Sequence, residues 1–330
     1  MTGFNSLEKN VLVKEIKVKI LGAGPTGALL ALAIAQEVNT VSIVDSLLEE
    51  ELVARSRAYA ITHSSRRLLQ SLSLWDTLFS DLVPFSRIHV EDIELNSSFN
   101  FDLNDLIAKN QIYGSIGWIV EHKNLMKVLL RRIKMETNII MDLGTESYPE
   151  IEGNDIVLAA DGPSSASRKF WNIKKFSHAY SQGCLTTKVL IRGCKSKCAY
   201  ELLRHEGPLA VLPMGGDLFQ VVWSAPYKKC VERSRIKHSD LLDLLSGLLP
   251  EGLEPDMIAD QPMVFPLQLS LAYPLNRGRF ILVGESAHSF HPVGGQGLNV
   301  CWRDVSQLKK LINSVNTGDI KLSSLPRRYN

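Results

Sequence analysis

The feature that most constrains this chain is a glycine triplet set between two apolar runs. Ile16 to Leu21 alternates Ile16, Val18 and Ile20 with Lys17 and Lys19, the period of a strand with one buried face. Gly22-Ala23-Gly24-Pro25-Thr26-Gly27 follows and fits G-x-G-x-x-G. Ala28 to Glu37, rich in Ala and Leu, predicts a helix, and the β-branched stretch Thr40 to Val44 predicts a second strand that ends at Asp45. In such a unit Gly22 permits the tight turn, Gly24 lets backbone approach a pyrophosphate, and Gly27 allows close helix–strand packing. The helix that opens at Pro25 and Thr26 presents free N–H groups and a positive dipole end to phosphate. A carboxylate at Asp45 is placed to accept hydrogen bonds from ribose hydroxyls. Strand, turn, helix, strand and acid in this order predict dinucleotide binding, with FAD and NAD both open.

Further along, Ser64 to Leu74 and Val120 to Ile133 read as helices, and Asp155 to Ala160 as a buried strand. Trp75 to Tyr113 has broken periodicity, with short alternating runs such as Arg87 to Leu95, and suggests a different layer. Leu209 to Pro213 and Leu218 to Ser224 flank Met214-Gly215-Gly216-Asp217, a hairpin signal. His238 to Leu249 predicts an amphipathic helix. Arg279 to Val283 returns as a buried strand, Gly284 to Gly297 as a glycine-rich loop, and Leu298 to Ile312 as a helix. At 330 residues the chain is long for one core. The expected architecture is α/β: a doubly wound, Rossmann-like dinucleotide-binding domain over 1–75, 114–175 and 276–330. A mostly antiparallel β-sheet substrate domain, 76–113 and 176–275, is inserted in it.

Two further motifs separate the cofactors. Ala160-Asp161-Gly162-Pro163-Ser164-Ser165-Ala166-Ser167-Arg168 fits A-D-G-x-x-S-x-x-R at a strand end. Gly284-Glu285-Ser286-Ala287-His288 leads through His291-Pro292 to Gly294-Gly295-Gln296-Gly297-Leu298-Asn299, with Asp304 on the following helix. Together with the glycine triplet these resemble the single-component FAD monooxygenases that hydroxylate aromatic rings. The segments Arg55-Ser56-Arg57-Ala58-Tyr59-Ala60-Ile61, Val120-Glu121-His122-Lys123-Asn124-Leu125, and Ala199-Tyr200-Glu201 followed by Gly207-Pro208-Leu209-Ala210 are similar to the ubiquinone-biosynthesis hydroxylases within that group. The similar segments run from about Val18 to Tyr329.

The resemblance implies FAD as cofactor and NAD(P)H as co-substrate, consumed with O2 to hydroxylate an electron-rich, polyprenylated phenol or quinone precursor. It implies that Asp161 and Gly162 border the pyrophosphate, that Gly284, Glu285 and Ala287 reach the ribityl side, and that Arg57 lies beside the flavin or its phosphates. Pro292, Gly294, Gly295, Gln296, Gly297, Leu298 and Asn299 are expected to wall the flavin ring and offer it N–H groups. Arg168 is open between phosphate and a local brace; Phe265-Pro266-Leu267 is open between substrate wall and core. Members of the family carry Asp, or sometimes Asn, where this chain has Glu285, and they continue with further helices beyond the stretch matching Leu325 to Tyr329. The alternatives are therefore an isoprenoid epoxidase or reductase, or a catalytically impaired FAD-binding remnant with a truncated C-terminus.

No Ser-His-Asp or metal constellation is expected, and no general base stands out; Glu206 and Tyr200 are the polar groups of the middle region noted for that role. Lys and Arg number 37 against 35 Asp and Glu, which gives no electrostatic footprint for nucleic acid. The five cysteines show no disulfide framework. The longest apolar run, Ala28 to Ala35, is too short to span a bilayer, and Met1 to Glu15 reads as a short disordered lead-in rather than a secretory signal. A cytoplasmic enzyme is expected, with peripheral membrane contact or a biosynthetic complex to reach a lipid-tailed substrate.

Overall fold

A computed structural model describes residues 16–146, 153–194, 197–291 and 293–330. The lead-in expected over Met1 to Glu15, and Pro292, lie outside the described residues. In chain order the strands are β1 (Lys17–Leu21), β2 (Thr40–Asp45), β3 (Ala58–Ile61), β4 (Leu82–Phe85), β5 (Arg87–Asp92), β6 (Ser97–Asp102), β7 (Gly117–Glu121), β8 (Ile139–Leu143) and β9 (Ile156–Ala159). They continue as β10 (Lys175–Arg192), β11 (Cys198–Arg204), β12 (Gly207–Pro213), β13 (Leu218–Pro226), β14 (Glu254–Ile258), β15 (Met263–Ala272), β16 (Asn276–Arg277), β17 (Phe280–Leu282) and β18 (His288–Ser289).

A six-stranded sheet runs β16-β17-β9-β1-β2-β8, parallel throughout except for the short edge strand β16. β1 is its pivot. The chain leaves β1 to form β2 on one side and later returns to form β9 on the other. That reversal opens a crevice at the carboxyl ends of the strands, the place where doubly wound sheets bind ligands. The helix Pro25–Ala35 covers this sheet, and its residues Gly27 to Ile34 are all buried. A helix apolar all round must be packed on several sides; this one is held between the helices His122–Met135 and Gly297–Asn316. Leu29, Leu30 and Ile34 are fully buried, each stabilising the fold by about 1.5–3 kcal/mol.

A nine-stranded, mostly antiparallel sheet follows the order β18-β15-β10-β13-β12-β11-β5-β6, with β14 paired to β10. Its only parallel pair among the described residues is β11 with β5. The expected hairpin at Met214 to Asp217 joins β12 to β13, with Gly215 and Gly216 at positive φ. One face of this sheet packs on the helix His238–Ser246 through Leu202, Val211, Val221 and Leu241. A three-stranded sheet, β3-β7-β4, lies against the other face through Ile119, Phe85 and Ala199.

Two readings of local pattern change. Val120 and Glu121 were expected to open a helix; they close β7, and the helix begins at His122. The β-branched pair Ile119-Val120 is held between β3 and β4, and that cross-strand pairing outweighs helical spacing. The stretch 76–113 divides: β4 joins the small sheet, while β5 and β6 extend the large one. Contacts across the two parts are specific. Ser56 Oγ donates to Asp260 Oδ2 at 2.7 Å, and Lys188 Nζ meets Glu121 Oε1 at 3.2 Å.

Candidate cofactor site

A groove of about 700 Å³ occupies the crevice at the carboxyl ends of β1, β2 and β9. Gly22, Gly24, Pro25, Thr26, Asp45, Asp161, Gly162 and Glu285 line it. Three segments far apart in the chain thus meet at one surface, and the size falls within the range of small-molecule sites.

The glycine turn is built for close approach. Gly22 has φ +99°, and its amide donates to Val44 O at 2.8 Å, tying the turn to the end of β2. A Cβ on Gly22 would stand 2.5 Å from Ala160 O, and one on Gly27 would stand 1.8 Å from Gly22 O. Gly24 is different: a Cβ there would meet nothing within 4 Å, because that side is open to the groove. So Gly22 and Gly27 close the turn, and Gly24 leaves the approach clear. Gly27 is buried behind the groove rather than lining it.

Asp45 Oδ2 accepts from the Ala23 amide at 2.7 Å and Oδ1 from the Leu47 amide at 2.9 Å. These bonds lock the carboxylate at the groove edge, and each oxygen keeps a further lone pair for a hydroxyl donor. Asp161 Oδ2 accepts from the Ser167 amide at 3.0 Å. Its Oδ1 is buried and has no hydrogen-bond partner among the described residues, an acceptor that a bound donor would satisfy. Arg168, which the sequence left open, is a brace. Its Nη1 donates to Ser286 O at 2.7 Å and Nη2 to Pro163 O at 3.2 Å, joining two loops that flank the groove. Burial lowers its guanidinium pKa.

The second glycine loop divides between the groove and the interior. Glu285 faces the groove and is exposed. Gly284, at φ +66°, is packed behind it; a Cβ there would stand 2.9 Å from Thr26 Cγ2. Beside it burial pushes the Cys301 thiol up to about 12, so that cysteine is an inert packing group. Ala287 is buried among Trp171, Ala272 and Leu282, away from the groove. Asp304 Oδ2 accepts from the Gly284 amide at 2.8 Å and meets His288 Nε2 at 2.8 Å, anchoring the loop to the helix Gly297–Asn316.

Gly294, Gly295, Gln296, Gly297 and Leu298 lie outside the groove, at the entry of that helix. Gly294 and Gly295 have φ 68° and 61°. Among the described residues no side chain closes over Gly297, where a Cβ would meet nothing within 4 Å. The amides of Gly297, Leu298 and Asn299 precede the first intrahelical bond, from Val300 N to Gln296 O, so they are free donors. The Asn299 side chain points inward. It is fully buried; Oδ1 accepts from Ser65 Oγ at 2.7 Å and the Thr62 amide at 3.1 Å, and Nδ2 donates to Ala60 O at 2.7 Å.

Arg57 lies apart from the groove lining. It stacks over Phe265 of β15, 5.1 Å from the ring centroid, and is not part of the groove. Arg55 lines the groove instead, together with Ser46 and Glu146. Reasoning from sequence passed over these; Arg55 lay in the Arg55 to Ile61 segment but carried no signal to rank it above Arg57. Of the polar groups noted in the middle region, Glu206 is held by Lys229 and Arg233, and Tyr200 packs into the core under β11. Open Gly24, a locked acid at Asp45, the unpartnered Asp161 Oδ1 and a helix N-terminus together fit a dinucleotide with a pyrophosphate.

Comparisons with known proteins agree with this geometry. Residues 122–327, more than half of the chain, match the FAD binding domain family. The ubiquinone hydroxylase UbiL of Rhodospirillum rubrum is 29% identical, with 89% of this chain and 72% of that protein aligned. The 3-demethoxyubiquinol 3-hydroxylase of Escherichia coli is 24% identical over 92% of this chain and 81% of its own. Among solved structures, PqsL of Pseudomonas aeruginosa, described as a probable FAD-dependent monooxygenase, superposes with TM-score 0.80 at 17% identity, covering 96% of this chain and 90% of that one. The chain belongs to the FAD binding domain family and is a FAD-dependent monooxygenase, a flavoprotein oxidoreductase.

Proposed function

We propose that this monooxygenase hydroxylates the ring of a polyprenylated phenol or quinone precursor, drawing on NAD(P)H and O2. One observation carries the reading. The glycine loop at the entry of the helix Gly297–Asn316 abuts an apolar layer between the small and large sheets. A Cβ on Gly295 would lie 3.3 Å from Ala60 Cβ. Ala60 shares that layer with Ile119, Ala199, Leu212 and Met214. An apolar, water-poor wall beside the cofactor loop suits an aromatic ring with an isoprenoid tail. The names of the two relatives support the same substrate class.

On this reading 1–75, 114–175 and 276–330 form the FAD-binding part, and 76–113 with 176–275 the substrate part. FAD, when bound, supplies the oxygen-transfer chemistry. The protein binds and orients. Gly24 gives the pyrophosphate its approach, and the helix N-terminus at Pro25 and Thr26 neutralises it. Asp45 takes the ribose hydroxyls, and Asp161 offers its free Oδ1 to a donor of the cofactor. Glu285 reaches the ribityl chain from a side chain one methylene longer than the family's aspartate. The free amides of Gly297 to Asn299 would offer hydrogen-bond donors to the ring. A prenylated substrate resides in lipid, so peripheral membrane contact is part of the proposal; among the described residues no helix is long and apolar enough to cross a membrane.

The test is NADH and NADPH oxidation by the FAD-loaded protein with and without a prenylated phenol, with product oxygen traced from 18O2. Substrate-stimulated oxidation and one 18O atom in the product are expected. Bound FAD that neither nucleotide reduces would favour a catalytically impaired protein. An epoxide, or a saturated prenyl chain, would place the chemistry on the isoprenoid instead of the ring.

A further inference from the structure

The inner face of the large sheet holds an ionisable group that the cofactor site does not use. Alternation along β11 turns Tyr200 and Leu202 into the core under the sheet and turns Ala199 and Glu201 toward the small sheet. By register Glu201 sits beside Ala210 of β12 and Val90 of β5. Ala199 and Leu212, on the same face, belong to the apolar layer that meets the glycine loop. Among the described residues Glu201 Oε1 is buried with no hydrogen-bond partner, and the Gly294 backbone lies close enough to counter part of the effect of burial on the carboxyl. Burial raises its pKa, which the Gly294 amide only partly offsets.

No cation among the described residues is directed at this carboxyl. Lys188 is paired with Glu121, Arg87 with Asp102, and Arg57 stacks on Phe265 of β15. His89 meets Tyr200 edge-on, and that ring lies on the other face of β11. An unpaired buried carboxyl oxygen is costly, because it loses its water without gaining a donor. Its position, between an apolar wall and the loop at the cofactor ring, suits a neutral ligand with one hydroxyl donor. An anionic ligand would be repelled.

We propose that Glu201 is the catalytic acceptor for the ring hydroxyl of the substrate. Its free Oε1 takes the hydrogen bond of the phenol and then its proton. The phenolic O–H bond breaks, the electron pair stays on the phenolic oxygen, and the proton bonds to Oε1; the step needs no oxidant or reductant. The resulting phenolate is a more electron-rich ring for oxygen insertion. The assignment rests on the hydroxylase reading above.

The experiment uses the full chain loaded with FAD, with 2-prenylphenol and its O-methyl ether as probes. Binding is read from perturbation of the flavin spectrum, and turnover from product. A site built around a hydroxyl rejects an analogue that lacks the donor. The wild type should prefer the phenol over the ether by tenfold or more. Glu201→Leu should keep FAD and lose that preference to within twofold. Glu201→Gln, which keeps an acceptor oxygen but not a base, should retain part of the preference and lose tenfold or more in kcat. A wild type that hydroxylates the phenol while Glu201→Leu discriminates equally well overturns the Glu201 assignment alone. A wild type that neither binds nor hydroxylates the phenol overturns the hydroxylase reading, and the acceptor role falls with it.

Discussion

Asn299 gives the sharpest separation between a cofactor ligand and a structural clip. Its side chain, fully buried, ties the helix Gly297–Asn316 to β3 and the turn after it. Asn299→Ala strands two backbone groups, the Thr62 amide at 3.1 Å and the Ala60 carbonyl at 2.7 Å. The Ser65 and Thr62 hydroxyls can turn elsewhere; Thr62 Oγ1 already lies 2.9 Å from Ser64 Oγ. Two orphaned backbone groups cost about 1–3 kcal/mol each, so the variant should lose about 2–6 kcal/mol. That is a large share of a typical stability of about 5–15 kcal/mol. At about 2 °C per kcal/mol for a long chain, Tm of the FAD-free protein should fall by roughly 4–12 °C. Asn299→Asp should not rescue it, because an oxygen would then face the Ala60 carbonyl. The assay is thermal unfolding without FAD, followed by FAD titration. A Tm within about 2 °C of wild type, coupled with lost FAD affinity, would refute the clip and make the side chain a cofactor ligand.

The two outer functions of the glycine turn should come apart. Gly27→Ala drives a Cβ to 1.8 Å from Gly22 O and should lower the stability of the FAD-free protein, whereas Gly24→Ala meets nothing within 4 Å and should leave Tm unchanged while weakening FAD binding tenfold or more; equal Tm losses in both variants would contradict this. Arg168→Ala removes the charged donor to Ser286 O and Pro163 O, and should cost roughly 2–4 kcal/mol with weakened FAD binding, read by unfolding and titration; a neutral result would deny the brace. Stability should also fall in mild acid. His122 Nε2 faces the Leu52 carbonyl at 2.7 Å and so carries the proton, while Nδ1 accepts from Tyr59 Oη at 2.9 Å; burial lowers its pKa, as it does for His63 and His291. Below the unfolded value of about 6.5 the unfolded chain takes up the extra protons, so stability is full above that pH and declines beneath it. Tm measured from pH 7.5 to 5.5 should drop, and His122→Gln should flatten the slope; a flat wild-type curve would count against the buried neutral histidines.

Local chemistry was legible in the sequence, and long-range chemistry was not. The strand, glycine turn, helix and acid from Ile16 to Asp45 could be read because each signal sits within a few residues of the next. The hairpin at Met214 to Asp217 was readable for the same reason. Val120 misled because its partners in β3 and β4 lie in other parts of the chain. The inward turn of Asn299 depends on Ser65, 234 residues away, and the bracing role of Arg168 on Ser286, 118 residues away. Arg55 and Arg57 look alike in sequence; only the packing of Phe265 beside one and the groove beside the other tells them apart. Glu201 and Glu206 are equally plain glutamates. Strand register buries one against the glycine loop, and two basic neighbours neutralise the other.

The central claim is that the crevice at the carboxyl ends of β1, β2 and β9 holds FAD. Equilibrium titration of FAD-free protein, followed by quenching of flavin fluorescence, tests it directly when wild type and Gly24→Ala are run side by side. The structure predicts saturation at one FAD per chain for the wild type and binding weakened tenfold or more in the variant. Absence of saturable binding by folded wild-type protein, or equal affinity in the two, would contradict it.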